Sequence, residues 1–416
     1  MLNLWKNGKM TKKTNIKVKN AILIGALCGV SYFTVYVARN ILSAVSPQML
    51  ESGFTEEYIG RASSVFFIVY AIGQLINGFI GDRIKARYMM SFGLVLAGIC
   101  NIVYPFIPAS GVGSIIVYGI TGFFLAMIYA PMTKVIAENV EPDYAARCAL
   151  GYEFGALLGT PVAGLMAAVL PMLFVFGIGG GMLLLMGIVI FISFLALERK
   201  GVVSYGKYEP TAKGGKANVK MLLKHQIVKF CFISAITGVV RTSVVFWLPT
   251  YISQYLGFSP EISATIFSAI TLVISLTAFL AVFVYERLKS MDKSILLLFS
   301  VAAVAFLMVW LIKQPIVNVV CLIIAIMGSG CVSAIMWCRY CPGLRDTGMV
   351  SSVTGFLDFL SYMAAAAANL IFANAVANIG WGNLILVWLA LMLLGIIVSL
   401  PYGAIAKKFK ADKSEA

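Results

Sequence analysis

Two arginines stand where an arginine is costly. Arg39 and Arg241 each lie well inside a long apolar stretch. Arg241 is 12 residues from Lys229 and 14 from Tyr255. At about 1.5 Å per helical residue it sits roughly 18–21 Å from either end, too deep to snorkel easily. Arg39 lies 14 residues before Gly53, at a similar depth. A charge near the centre of a bilayer costs several kcal/mol unless it faces a wet cavity or a partner. A guanidinium presents a planar fork of donors that matches the oxygens of a phosphate or carboxylate. The chemistry these residues can do is therefore anion binding, with structural ion pairing as the alternative. The acids available for such pairing are Glu153 and Asp358, both inside apolar stretches. They either neutralise the arginines of an empty site or take up protons, since desolvation favours the neutral carboxyl. Tyr32, Tyr36 and Trp247 fall one or two helical turns from an arginine, within reach of the same site.

The composition says what holds these residues. Apolar types make up 61% of the 416 residues and charged types 12%, and the mean hydropathy is +0.94. So few charges cannot cover the surface of a soluble fold of this size, and so apolar a chain is not disordered. A polytopic membrane protein remains. The net charge of +15 does not imply nucleic acid, because the basic residues fill short gaps between apolar runs and form no stripe. No P-loop motif occurs, and no enzyme activity is expected. Cys338 and Cys341 form a lone CxxC and the single His is His225, so neither a metal site nor a cofactor is expected.

Twelve stretches reach the twenty or so apolar residues that a crossing needs. They are 21–50, 58–81, 88–107, 113–137, 145–170, 173–197, 227–255, 262–285, 294–312, 316–338, 349–373 and 381–406. Counted along the chain, 28 of the 32 Lys and Arg fall in the two termini and the even-numbered gaps. By the positive-inside rule both termini face the cytoplasm, and the protein is a multi-pass protein of the cell membrane. Of the other four basic residues, Arg61 and Lys313 lie near span ends and read as interfacial anchors. The organisation is a basic tail (1–20), a six-helix bundle (21–197), a cytoplasmic linker rich in Gly and Lys (198–225), a second bundle (226–406) and a C-terminal tail (407–416). A monomer is expected.

The halves repeat each other. Gly53-Phe54-Thr55-Glu56-Glu57 recurs as Gly257-Phe258-Ser259-Pro260-Glu261. The segment from Phe79 through Asp82 and Arg83 to Lys85 recurs from Phe283 through Glu286 and Arg287 to Lys289. Arg39 followed by Pro47 recurs as Arg241 followed by Pro249. Duplicated six-helix units facing each other are a transporter architecture with the site near the midplane. Asp82, Arg83 and Arg87, with Glu286 and Arg287, place acid beside base at the cytoplasmic helix ends. They read as a gate pairing across the bundle, or else as ordinary cytoplasmic charge with a capping Asp. Gly177, Gly179, Gly180 and Gly181, and the run of alanines 364–368, read as close-packing faces.

Gly78-x-x-x-Asp82-Arg83-x-x-x-Arg87 together with this architecture resembles the major facilitator superfamily. Tyr36-Val37-Ala38-Arg39, the segment from Arg241 to Trp247-Leu248-Pro249-Thr250-Tyr251, Gly348-x-x-Ser351-Ser352-x-Thr354-Gly355 and Gly380-Trp381 resemble its organophosphate:phosphate antiporter family. The resemblance implies an all-α membrane protein with twelve transmembrane helices in two pseudo-symmetric six-helix bundles. It implies secondary transport by alternating access, with organic phosphate exchanged for inorganic phosphate. Arg39 and Arg241 would clamp the phosphate, Tyr32 and Tyr36 would add hydroxyls, and Lys134 matches a basic position of the family. Asn40 stands where the glycerol-3-phosphate members carry Lys, and is expected at the substrate too. Proton-coupled uptake of an organic acid or sugar acid is the alternative that Glu153 and Asp358 suggest. A non-transporting sugar-phosphate receptor is a third. The expected partners are a small anionic substrate and the lipid bilayer.

Overall fold

The computed structural model describes residues 12–81, 84–108, 112–205, 222–223, 225–341, 344 and 350–400. Every regular element among them is helical. Lipid offers no hydrogen bonds, so a crossing segment must satisfy its backbone within itself.

Among the described residues, ten helices are long and apolar enough to cross a membrane. Pro142–Val169 is a further crossing. The last long helix, Val350–Ser399, is two crossings that fold at Gly380, whose φ of 76° leaves the helical region. Twelve spans result. Span 1 is Lys12–Glu51, span 2 Glu56–Gly81 and span 3 Ala86–Val103. Span 4 joins Val112–Leu125 to Tyr129–Asn139. Span 5 is Pro142–Val169 and span 6 Met172–Arg199. Span 7 joins Ile227–Gly238, a π turn at Val239–Val244, and Val245–Gln254. Span 8 joins Pro260–Ile274 and Thr277–Leu288, and span 9 is Met291–Leu311. Span 10 is Pro315–Ile335 with a π turn at Met336–Tyr340. Spans 11 and 12 lie on either side of Gly380. Span 1 begins earlier than its apolar run, because the lysines that precede the run are good helix formers.

The repeat is visible in the backbone. Gly53 and Gly257 follow spans 1 and 7 with φ of 89° and 77°. A residue with a Cβ is strained there, so both glycines end their helices in the same way. Spans 1–6 pack as one bundle, with span 1 against spans 5 and 6, span 2 against span 4, and span 3 against span 6. Spans 7–12 form the second, with span 7 against span 11 and span 9 against spans 10 and 12. Close approach needs small residues: a Cβ on Gly180 would come within 2.7 Å of the Gly98 carbonyl oxygen, and one on Gly155 within 2.5 Å of that of Gly29. Of the expected glycine face, Gly179 meets Ile41, while Gly177 and Gly181 face open space and do not pack closely.

The two ends of the bundle differ. One carries Lys85, Arg87, Arg199, Lys200, Lys229, Arg287 and Lys289 and is here the basic face; the other carries Glu51, Glu56 and Glu57 and is the acidic face. Hydrogen bonds join the halves toward the acidic face. Ser43 Oγ donates to the Phe246 carbonyl at 2.6 Å, and Ser46 Oγ lies 2.7 Å from Thr250 Oγ1. Ser64 Oγ donates to the Ala366 carbonyl, Asn369 Nδ2 to Ser63 Oγ, and Gln254 Nε2 to Glu56. The Ser and Asn side chains of this seal, with Thr250, are buried.

At the basic face, Arg87 and Lys85 of the first half both pair with Glu198 at the end of span 6. Arg87 therefore pairs here within its own half, since spans 3 and 6 pack along their length, and the expected pairing across the bundle is not formed among the described residues. Glu286 and Arg287 are exposed at the end of span 8, and neither forms an ion pair with a described residue. Asp82 and Arg83 lie outside the described residues. Arg61 pairs with Glu57 one turn before it, at the acidic face.

Candidate anion-binding site

The two arginines line one cavity of about 220 Å³ between the halves. Tyr36, Arg39 and Asn40 of span 1, Phe67 of span 2 and Thr160 of span 5 form one side. Arg241, Thr242 and Phe246 of span 7, Thr271 and Ser275 of span 8 and Tyr362 of span 11 form the other. The hydrogen-bonded seal lies between this cavity and the acidic face. The Arg241 side chain is 38% exposed, on the side of the seal away from the acidic face.

Arg39 is enclosed by rings. Its guanidinium carbon lies 5.3 Å from the centroid of Tyr36, 5.3 Å from Phe67, 5.0 Å from Tyr70 and 4.8 Å from Tyr362. Ring faces carry partial negative charge and offset the lost hydration. Arg39 Nη1 also donates to Tyr362 Oη at 3.0 Å. Among the described residues no carboxylate pairs with it. Its partners therefore leave its net charge in place.

Arg241 is held differently. It lies in the π turn, which widens the helix by one residue and re-aims the side chain. Its Nη2 is 3.7 Å from Asp358 Oδ1 and 3.5 Å from Ser361 Oγ. Its guanidinium carbon is 5.6 Å from the Tyr362 centroid. Tyr362 thus stands between the two arginines and touches both. With Asp358 ionised, Arg39, Arg241 and Asp358 together carry one net positive charge, and with it protonated two; both suit an anion.

Several expected contacts lie elsewhere. Trp247 is fully buried and packs toward Gly60 of span 2, inside the seal. One residue turns a helix by about 100°, so Phe246 lines the cavity and Trp247 does not. Tyr32 stands behind Tyr36, at 5.0 Å between ring centroids, and packs on Tyr129 and Tyr152. It shapes the wall rather than lining it. Lys134, half-buried on the Tyr129–Asn139 helix, is absent from the lining. Asn40 lines the cavity, but its amide already donates to the Tyr36 carbonyl and Thr160 Oγ1. The side chain of Glu153 lies outside the described residues.

Sequence reasoning missed Tyr362, Tyr70, Phe67 and Ser361. Asp358, Ser361 and Tyr362 are spaced i, i+3, i+4 and share one helix face. That spacing was the available signal for Tyr362. Phe67 and Tyr70 of span 2 carried none, since aromatic residues in a membrane helix usually face lipid or core.

Residues 28–368 match the Major Facilitator Superfamily. The membrane sensor protein UhpC of Salmonella typhimurium is 36% identical over 86 residues, 20% of this chain and 19% of that protein. The glycerol-3-phosphate transporter of Bacillus subtilis is 24% identical over 267 residues, 59% of this chain and 60% of that one. The matched parts thus span from about a fifth to three fifths of these relatives' lengths. The crystal structure of a bacterial homologue of the human lysosomal transporter Spinster, inward-facing and occupied, superposes with a TM-score of 0.70 at 13% identity. It covers 94% of this chain and 97% of that one, a likeness of fold. The chain belongs to the Major Facilitator Superfamily, and its relatives support the resemblance to the organophosphate:phosphate antiporter family within it.

Proposed function

We propose that the protein is a secondary transporter of a small organic anion, an organic phosphate exchanged for inorganic phosphate by alternating access. The observation that carries this reading is the shared cavity: one arginine from each half lines it, and Tyr362 touches both. An anion bridging Arg39 and Arg241 draws the halves together, so its binding energy couples to their relative position. A ligand shifts such a balance only by its differential affinity for the two states, and a bridging anion supplies that difference. With the basic face cytoplasmic, the arrangement described above is inward-facing, and the hydrogen-bonded seal is what opens in the other state. No bond is made or broken.

The test is counterflow in proteoliposomes. Vesicles loaded with phosphate should take up labelled glycerol 3-phosphate or a hexose phosphate, and Arg39→Ala or Arg241→Ala should abolish the uptake. Normal uptake by either alanine variant would falsify the clamp. Binding without flux would favour a receptor, the role that the sensor's name suggests among the relatives.

A second reading has an observation behind it. Asp358 lies beside Arg241 at the cavity edge, so its charge opposes a dianion and a proton on it relieves that opposition. Uptake driven by an imposed pH gradient, and lost in Asp358→Asn, would favour proton-coupled symport over exchange.

A further inference from the structure

A second cavity, of about 630 Å³, runs between spans 1 and 5 toward the basic face. Ile22, Ala26, Val30 and Phe33 of span 1 and Gly151 and Leu158 of span 5 form most of its wall. Its position relative to the substrate cavity follows from helix phase. Val30 is nine residues before Arg39, which is half a turn out of phase at about 100° per residue, so the two point to opposite sides of span 1. Arg39 faces the second half, so Val30 faces away from it. Ile22 and Val30 are 66% and 52% exposed. In a chain that crosses the bilayer, apolar side chains so exposed on the outer side of a bundle meet lipid.

The groove is deep because its floor is glycine. Gly25, Gly29 and Gly155 bring the backbones of spans 1 and 5 into contact, and a Cβ on Gly25 would strike Cys148 Sγ at 2.8 Å. Gly151 differs: a Cβ there meets nothing within 4 Å. The space beside it belongs to the groove and is unfilled by protein.

The charge at the mouth selects the occupant. Lys19 is exposed and lies three, seven and eleven residues before Ile22, Ala26 and Val30, on the same helix stripe. The chain up to Asn20 contains six Lys (Lys6, Lys9, Lys12, Lys13, Lys17, Lys19) and no acid. An apolar slot with a cation at its interfacial end fits a molecule with a hydrocarbon chain and an anionic head. We propose that this groove binds one acyl chain of an anionic phospholipid, with the headgroup phosphate at Lys19.

Native mass spectrometry of the purified protein tests this, after incubation with equimolar phosphatidylglycerol and phosphatidylcholine. The wild type should retain phosphatidylglycerol over phosphatidylcholine by about fivefold, the ratio that one lysine near an anionic headgroup supplies. Lys19→Glu should remove that preference. Gly151→Leu adds bulk to the groove at a position where a Cβ meets nothing within 4 Å and should lower retention of both lipids several-fold, while Arg39→Ala should change neither. Helical circular dichroism and monodisperse elution report whether Gly151→Leu folds; should it fail, Ala26→Leu fills the same groove from span 1. Equal retention of the two lipids by the wild type overturns the anionic headgroup. Wild-type retention by a folded groove-filling variant overturns the site.

Discussion

Arg39 and Arg241 occupy corresponding places in the two repeats, yet their surroundings have little in common. Arg39 sits in regular helix inside a box of four rings, with a tyrosine hydroxyl as its hydrogen-bond acceptor. Arg241 sits in a π turn, about a third exposed, with Asp358 and Ser361 beside it. A ring box offsets the cost of burying a charge without cancelling it. A carboxylate does cancel it. The first half therefore supplies a fixed positive charge, and the second supplies one that its own acid moderates. Duplication placed both charges, and the neighbouring spans made them unequal.

The largest expected effect is at the fixed charge. Arg39→Ala should weaken phosphate binding, measured by isothermal titration, by on the order of a hundredfold or more, as losing one partner of a desolvated charge pair does. Arg39→Lys should recover little of this, because a point charge lacks the fork and fits the ring box poorly. Full recovery with Lys would mean that the box does not select guanidinium.

Arg241→Ala should also be severe, but for a second reason: it leaves Asp358 unpaired and facing the anion. Adding Asp358→Asn should therefore restore part of the binding, by about tenfold, a coupling normal for a pair in contact. Independent, additive effects in this cycle would show that the acid does not moderate Arg241.

Tyr362→Phe keeps the ring between the arginines and removes one hydroxyl. About a fivefold loss of affinity is expected, equivalent to one hydrogen bond of about 1 kcal/mol. Tyr362→Ala should cost more, and no difference between the two variants would reduce Tyr362 to a spacer. The smallest effect belongs to the seal. Ser46→Ala with Thr250→Val removes both partners of one neutral hydrogen bond, which is nearly neutral for stability. The expected result is a few-fold change in the labelling rate of a cysteine placed at Ser43, with substrate affinity unchanged.

Much of this was legible in the residues alone. The apolar runs are long and sparsely charged, so twelve crossings and two halves follow from lipid thickness and backbone satisfaction. The arginines stood out because a guanidinium in hydrocarbon demands a reason. The partner of Arg87 was not legible, because Glu198 is 111 residues away in the same half and charge spacing does not say which helices are neighbours. Trp247 was misplaced because nearness along a helix does not give direction, and the π turn beside it shifts the phase.

What the chain dictates by itself is a partition: which segments enter lipid, where the unit repeats and where charge is too costly to be accidental. Those are local free energies, set by residue type and run length. The tertiary structure decided which side chains face one another. It placed Tyr362 between the arginines, gave Asp358 to Arg241 rather than Arg39, and turned Trp247 into the seal. Such pairings depend on the packing and rotation of helices far apart in sequence, and no local pattern carries that information.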